Sequence, residues 1–515
     1  MLNLAATLEY SAKIYPDNIA IYFADKKITY KELNIMANKI ARGLNESGII
    51  PGDRIALCCP NIPQFIFAYY GILKAGCVVL PFNVLLKANE IEFILKNSES
   101  KGIICFEGTE ELKIAEQVYQ AYIDSEKCKN MWVIESSNIF SKDDKDVQNF
   151  SSLMNFTENE FDTIQRSSED TAIILYTSGT TGKPKGAELS HANILFNAFV
   201  AKNLVDILND DKIIMSLPLF HVFGQIIMMV NGLLCGASLI VLTRFDPIEV
   251  LQNMEKYKAT VFGGVPTMYW SLLNSLEESK VDINVISENL RICAAGGSSL
   301  PLEVLNNFEE KFKVPILEGY GLSETSPGVT FNHLGRKRKP GSVGQPVWGV
   351  EVKVVDEKDS EVSVKETGEI VIRGHAVMKG YFNNPEVTKE ALRGGWFHTG
   401  DIGYFDEDGY LYIVDRLKDM IIRGGYNVYP REIEEVLIQH PNISLVAVIG
   451  VPHDEWGEEI KACIVLKEGL ICTEEDIINF AKSKIAAYKY PRLIEFYESL
   501  PLNATGKILK TELRS

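Results

Sequence analysis

Short apolar runs alternate with amphipathic stretches from the start of the chain. Residues 19–23 and 54–59 read as strands, and residues 29–46 and 62–75 read as helices. Thr29, followed three residues later by Glu32, gives a capping-box signal at the first helix start. Residues 78–81, 102–105, 131–134 and 172–176 continue the strand series. Strands separated by helices of this length predict βα units and parallel sheets covered on both faces. After Pro340 the texture changes. Residues 350–355, 368–373 and 409–414 alternate apolar and polar positions with Asp/Gly turns between them, which predicts an antiparallel or barrel-like subdomain. Farther on, Pro430 opens a helix whose Ile433, Val436 and Leu437 share one face, residues 445–451 and 460–466 read as strands, and Thr473 opens another helix. About a hundred residues of mixed helix and strand make a plausible small α+β domain. No internal repeat interrupts this series.

Two segments need a decision. Residues 226–242 are apolar enough to imitate a membrane span, but Asn231, Gly232, Gly236 and Ser238 interrupt them. They read as a buried helix over 225–234, a glycine turn and a buried strand over 237–242, so no integral membrane segment is expected. The polar run 141–162 reads as a surface loop.

A chain of 515 residues exceeds what one compact core usually holds, so a large multi-part domain plus a smaller one is expected. Apolar residues make up 46%, enough to bury a substantial core. The net charge of −17 argues against a nucleic-acid partner, and obliges any anion site to gather local Lys, Arg and backbone N–H groups. Nine scattered cysteines with no CxxC pair, and an N-terminus without the form of a signal peptide, fit a reducing, cytoplasmic setting.

The chemistry concentrates at residues 176–186, YTSGTTGKPKG, directly after an apolar strand. Three glycines let backbone N–H groups converge on phosphate oxygens. Thr177, Ser178, Thr180 and Thr181 add donors, and Lys183 and Lys185 add charge. The spacing is not that of a Walker A loop. This segment resembles the signature of the adenylate-forming superfamily, which comprises acyl-CoA synthetases, peptide-synthetase adenylation domains and firefly-type luciferases. LPLFHVFG (217–224), EGYGLSET (318–325), GWFHTGD (395–401), DRLKDMIIRGGYNVYPREIE (415–434) and PLNATGKILK (501–510) are similar to its later motifs, in order, so the likeness spans almost the whole chain. The wording is most like bacterial medium- to long-chain fatty acid–CoA ligases.

The resemblance implies a fold: a large α/β N-terminal domain over 1–415, with two βα sheets and a barrel-like subdomain near 340–415, then a small mobile α+β domain over 416–515 hinged at Lys418. It also implies roles. Thr177, Ser178, Gly179, Thr180, Thr181, Gly182, Lys183 and Lys185 would hold the phosphates of ATP. Gly296, Gly297, Tyr320, Gly321 and Thr325 would surround the adenine, with Asp401 and Arg416 on the ribose and phosphate side. Glu324 and Thr180 would hold Mg2+, whose preference for hard oxygen donors suits them. Lys507 would meet the reacting carboxylate and α-phosphate. His221 would line the acyl channel with Phe220, Val222, Phe223, Val265, Met268, Gly319 and Val329. Gly424 and Gly425 would admit the pantetheine arm of CoA.

The implied reaction is activation of a fatty acid to its acyl-AMP with release of pyrophosphate, then thioester formation with CoA. Two alternatives stay open: transfer to the phosphopantetheine of an acyl carrier protein, and a non-catalytic acyl- or nucleotide-binding regulator, against which Lys507, Glu324 and Asp401 argue. Monomer and homodimer both stay open.

Overall fold

The computed structural model of the chain describes residues 2–137, 139–141, 144, 146–177, 184–424, 426–453 and 456–514. Among these, nine strands form one sheet in the order Gln345–Pro346, Gly328–Phe331, Ile316–Gly321, Ile292–Ala295, Val261–Gly264, Lys212–Met215, Ser238–Val241, Ile19–Phe23 and Lys26–Thr29. Its six central strands pair in parallel. The strands at either end turn antiparallel. A second sheet of eight runs Gly380–Tyr381, Lys185–Ser190, Thr171–Thr177, Val78–Pro81, Arg54–Cys58, Gly102–Phe106, Asn130–Ile134 and Val147–Asn149. The helix Tyr30–Glu46 begins at the expected capping box and packs against Pro63–Lys74, so one helical layer serves both sheets. The interior between these layers is one continuous apolar cluster.

The antiparallel region beyond Pro340 is a sheet of Val350–Val355, Gly368–Gly374, Phe397–Phe405 and Leu411–Arg416. A last sheet holds Tyr426–Val428, Ile421–Arg423, Gly457–Leu466 and Ile443–His453, with Leu493–Phe496 added in parallel to Gly457–Leu466. Each of its faces has a separate core. Val446, Val448 and Ile464 meet Ile433, Leu437 and Ile477 on one side, while Ala447, Ile449 and Cys463 meet Leu500 and Leu513 on the other. This alternation follows from the two-residue period of a strand.

Three expectations need correction. The run 141–162 is not wholly a surface loop: Phe150 and Leu153 are buried from a short 3-10 turn, Phe150–Met154, after the edge strand Val147–Asn149. Two apolar residues three apart in a polar stretch were enough to pull it inward. Leu153 lies so close to Gly43 that a Cβ there would stand 2.5 Å from its carbonyl oxygen. The strand expected at 409–414 runs over Leu411–Arg416, because Gly409 takes a φ of +76° in the preceding turn. The helix expected at 225–234 exists, but its first part, Phe223–Val230, has π geometry before Asn231–Cys235 becomes α-helical. Such widened turns often accompany functional sites, and this one starts two residues after His221. No helix among the described residues is long and apolar enough to cross a membrane.

Candidate active site

The strand Ile316–Gly321 carries Tyr320 near its end, where it pairs antiparallel with Gly328–Phe331. A Cβ on Gly319 would stand 2.6 Å from the Phe331 ring, and one on Gly321 only 1.5 Å from the Pro327 carbonyl oxygen, so the chain can turn here only with glycine. The Tyr320 hydroxyl donates to Asp401 Oδ2 at 2.7 Å, and Arg416 Nε lies 3.0 Å from Oδ1. Asp401 and Arg416 are register partners on neighbouring antiparallel strands, which fixes this contact. Asp401 is 3% exposed, and both its oxygens are engaged by these two groups. Burial first, then the Asp401 charge, raises the Tyr320 phenol well above its ordinary pKa.

Glu324 sits in the 3-10 turn Ser323–Thr325 and is buried. Its Oε1 accepts from Thr177 Oγ1 at 3.2 Å and from the Tyr381 hydroxyl at 3.0 Å. Among the described residues no Lys or Arg forms an ion pair with it, so it is a buried carboxylate with hydroxyls on one oxygen. That donor set suits a hard cation such as Mg2+. The hairpin Thr171–Thr177/Lys185–Ser190 pins both ends of that loop, with Thr177 opposite Lys185. Ser178, Gly179, Thr180, Thr181, Gly182 and Lys183 themselves lie outside the described residues, as does Gly425. Thr325 is fully buried, and its hydroxyl donates to the Pro327 carbonyl at 2.8 Å, so it secures the turn that carries Glu324.

Lys507 reaches this region from the other end of the sequence. Its turn is tied by Asn503, whose Oδ1 accepts from the backbone N–H groups of Thr505 and Lys507, each at 2.9 Å. A Cβ on Gly297, which holds φ +84°, would stand 3.1 Å from Lys507 Cε and 3.5 Å from Val265 Cγ1. The lysine therefore lies along the glycine turn 296–297. A Cβ on Gly296 would meet the Gly319 carbonyl oxygen at 3.2 Å and the Phe223 ring at 3.6 Å, which joins that turn to the apolar group. Burial, then the nearby Arg416 charge, lowers the Lys507 pKa to about 8, with Asp401 opposing the shift.

His221 has a pKa lowered to about 3 by burial and then by the positive Lys507, so its imidazole is neutral at physiological pH. The Phe223 N–H donates to its Nδ1 at 3.4 Å, which leaves the ring proton on Nε2 as a donor. Val222, Val265, Met268 and Val329 are buried in the main apolar cluster, Phe223 packs against it, and Phe220 is half-buried.

Other expected residues lie elsewhere. Lys418 is exposed in the turn between the strands Leu411–Arg416 and Ile421–Arg423, which belong to different sheets. Gly424 has φ +56°, and a Cβ there would meet the Trp456 ring at 2.8 Å, so this glycine faces its own small sheet here. Two residues went unnoticed in the sequence. Tyr381 contacts Glu324 from 57 positions away, because the short strand Gly380–Tyr381 pairs with Lys185–Ser190. Its ring also lies 5.4 Å from Lys185 Nζ. Thr267 donates to the Gly506 carbonyl at 2.7 Å. Neither sits in a residue pattern that announces chemistry; Asn503, in contrast, lay inside a motif already singled out.

The AMP-binding enzyme family model matches residues 8–382, and the AMP-binding enzyme C-terminal domain model matches residues 432–507. A long-chain-fatty-acid–CoA ligase of Bacillus subtilis (strain 168) is 39% identical, over 99% of this chain and 94% of its own. A feruloyl-CoA synthase of Amycolatopsis sp is 33% identical, over 98% of this chain and 96% of its own. The crystal structure of the anthranilate CoA ligase AuaEII in complex with anthranoyl-AMP superposes with a TM-score of 0.91 at 29% identity, covering 100% of this chain and 96% of that one. The chain thus belongs to the AMP-binding enzyme family, as an adenylate-forming acyl-CoA ligase that uses ATP, Mg2+ and CoA.

Proposed function

We propose that this ligase activates a medium- or long-chain fatty acid as its acyl-AMP and then passes the acyl group to CoA. The observation that carries the reading is the approach of Lys507, with neutral His221 nearby, to Val265, a member of the apolar cluster that also holds Val222, Met268 and Val329. An apolar channel gains about 0.8 kcal/mol for each methylene it removes from water, so such a lining favours a hydrocarbon tail. The 39% identity to a long-chain-fatty-acid–CoA ligase supports the same substrate.

In the first half-reaction a carboxylate oxygen attacks the α-phosphorus of ATP, the bond to the β-phosphate oxygen breaks, and pyrophosphate leaves. The carboxylate is already ionised, so no general base is required; alignment and charge neutralisation do the catalysis. Lys507 supplies positive charge to the carboxylate and α-phosphate. The His221 Nε2–H orients the carboxylate, and Tyr320, Gly296, Gly297 and Gly321 bracket the adenine. Asp401 and Arg416 take the ribose side, while the loop 177–185 cradles the phosphates. Glu324, with Thr180, would hold Mg2+, which neutralises phosphate charge when bound. In the second half-reaction the CoA sulfur attacks the acyl carbonyl carbon and the bond to AMP breaks. For that step the domain 416–515 rotates on the large domain 1–415 about Lys418, withdrawing Lys507 and bringing Gly424 and Gly425 toward the pantetheine arm.

The test is release of AMP and pyrophosphate over a fatty-acid chain-length series, with and without CoA. Acyl-CoA formation that peaks at one chain length is expected. Acyl-AMP formation with no acyl-CoA produced when CoA is supplied would shift the acceptor to a carrier protein. A second substrate reading, an aromatic acid, is favoured by the likeness to a feruloyl-CoA synthase and to the anthranilate CoA ligase. Ferulate and anthranilate belong in the same series, and turnover of either above every fatty acid would replace the first reading.

A further inference from the structure

Thr267 stands at the second position of the helix Pro266–Asn274, beside Val265 of the apolar group. Its hydroxyl donates to the Gly506 carbonyl at 2.7 Å, across 239 positions of sequence. Among the described residues this is the hydrogen bond that joins the Lys507 turn to the large domain. Gly506 is shaped for the contact. It holds φ +81°, and a Cβ there would stand 3.0 Å from Val265 Cγ2 and 3.1 Å from Thr267 Oγ1. The turn is already closed on itself by Asn503, so docking needs no refolding; a preformed loop presents one carbonyl to one hydroxyl. The receiving side is firm as well. Tyr269, on the same helix, is buried and donates to the Ala294 carbonyl at 2.7 Å, which fastens the helix to the central sheet.

We propose that Thr267 is a positioning residue, a catch that seats the Lys507 turn for acyl-AMP formation and releases it for thioester formation. This inference rests on the two-arrangement reading above. One neutral hydrogen bond biases the docked arrangement by a modest factor and breaks without a large barrier, which suits a contact made and lost in each turnover.

The two half-reactions separate the possibilities. Pyrophosphate release without CoA would be timed with the acid that the wild type adenylates fastest, and acyl-CoA formation would be timed from that acid's preformed adenylate plus CoA. Thr267→Val keeps the branched shape and removes the donor; it should slow the first reaction roughly 3- to 10-fold and leave the second unchanged or faster. Thr267→Ser should restore the first. An unchanged first reaction in Thr267→Val, or equal slowing of both reactions without rescue by serine, overturns the proposal. Lys507→Ala serves as the control. If it slows adenylation and Thr267→Val does not, the catch alone fails; if it too leaves adenylation intact, the underlying reading fails.

Discussion

Lys507 and Gly424 both lie in turns attached to the same small sheet, yet their surroundings are opposite. The Lys507 turn packs through Leu500 and Leu513 on one face of that sheet and extends to Gly297 of the large domain. Gly424 lies at the hairpin Ile421–Arg423/Tyr426–Val428 and meets Trp456 of its own sheet. One end therefore reaches the large domain at Gly297, and the other is turned to its own sheet. This difference in surroundings supports the proposed reading in which each end serves a separate half-reaction.

The strongest way to break that comparison is Lys507→Ala. Pyrophosphate release should fall roughly 100- to 1,000-fold, while thioester formation from supplied acyl-AMP stays within about twofold. Equal losses in both would mean that the two ends are not divided between steps. Next in size is Glu324→Gln, which should raise the Mg2+ concentration for half-maximal ATP-induced thermal stabilisation roughly 10- to 100-fold. Tyr381→Phe should move the same curve in the same direction by less, since it removes only a hydroxyl from Glu324. Gly424→Leu probes the other end. It should slow thioester formation roughly tenfold through overpacking and leave pyrophosphate release at the wild-type rate.

The smallest effect is a pH profile. Lys507, with its pKa lowered to about 8, is charged below that pH and loses its charge above it. Adenylation should decline as pH rises through about 8, and the decline should move to higher pH in Lys507→Arg, whose guanidinium stays protonated. The same shift implies that, without a bound anion, docking of the Lys507 turn grows more favourable as pH rises from about 8 toward the lysine's ordinary value, since the docked form binds fewer protons.

Much of this was legible in the sequence because it was written locally. The capping box at Thr29, the glycine turn at Gly236, the strand leading into YTSGTTGKPKG and the helix opened by Pro430 each depend on residues a few positions apart. Tyr320, Asp401 and Lys507 were found through motifs, and their meeting needed the fold. What stayed hidden were side chains recruited across the structure. Tyr381 reaches Glu324 by way of a two-residue strand, and Thr267 reaches Gly506 between sheets; no periodicity encodes either. Phe150 and Leu153 were missed for a different reason, because two buried residues carry little weight in an otherwise polar run.

Asp401, held by Tyr320 and Arg416, has a consequence for how the nucleotide arrives. A chain of net charge −17 repels a triphosphate, and a bare buried carboxylate at the proposed ribose position would add to that repulsion at the last few ångströms. With one oxygen paired to a guanidinium and the other to a phenol, the carboxylate presents no such barrier. Under the proposed reading, capture then becomes an exchange of partners within a preassembled network, in which an incoming sugar meets groups already waiting on a carboxylate whose charge is balanced in advance.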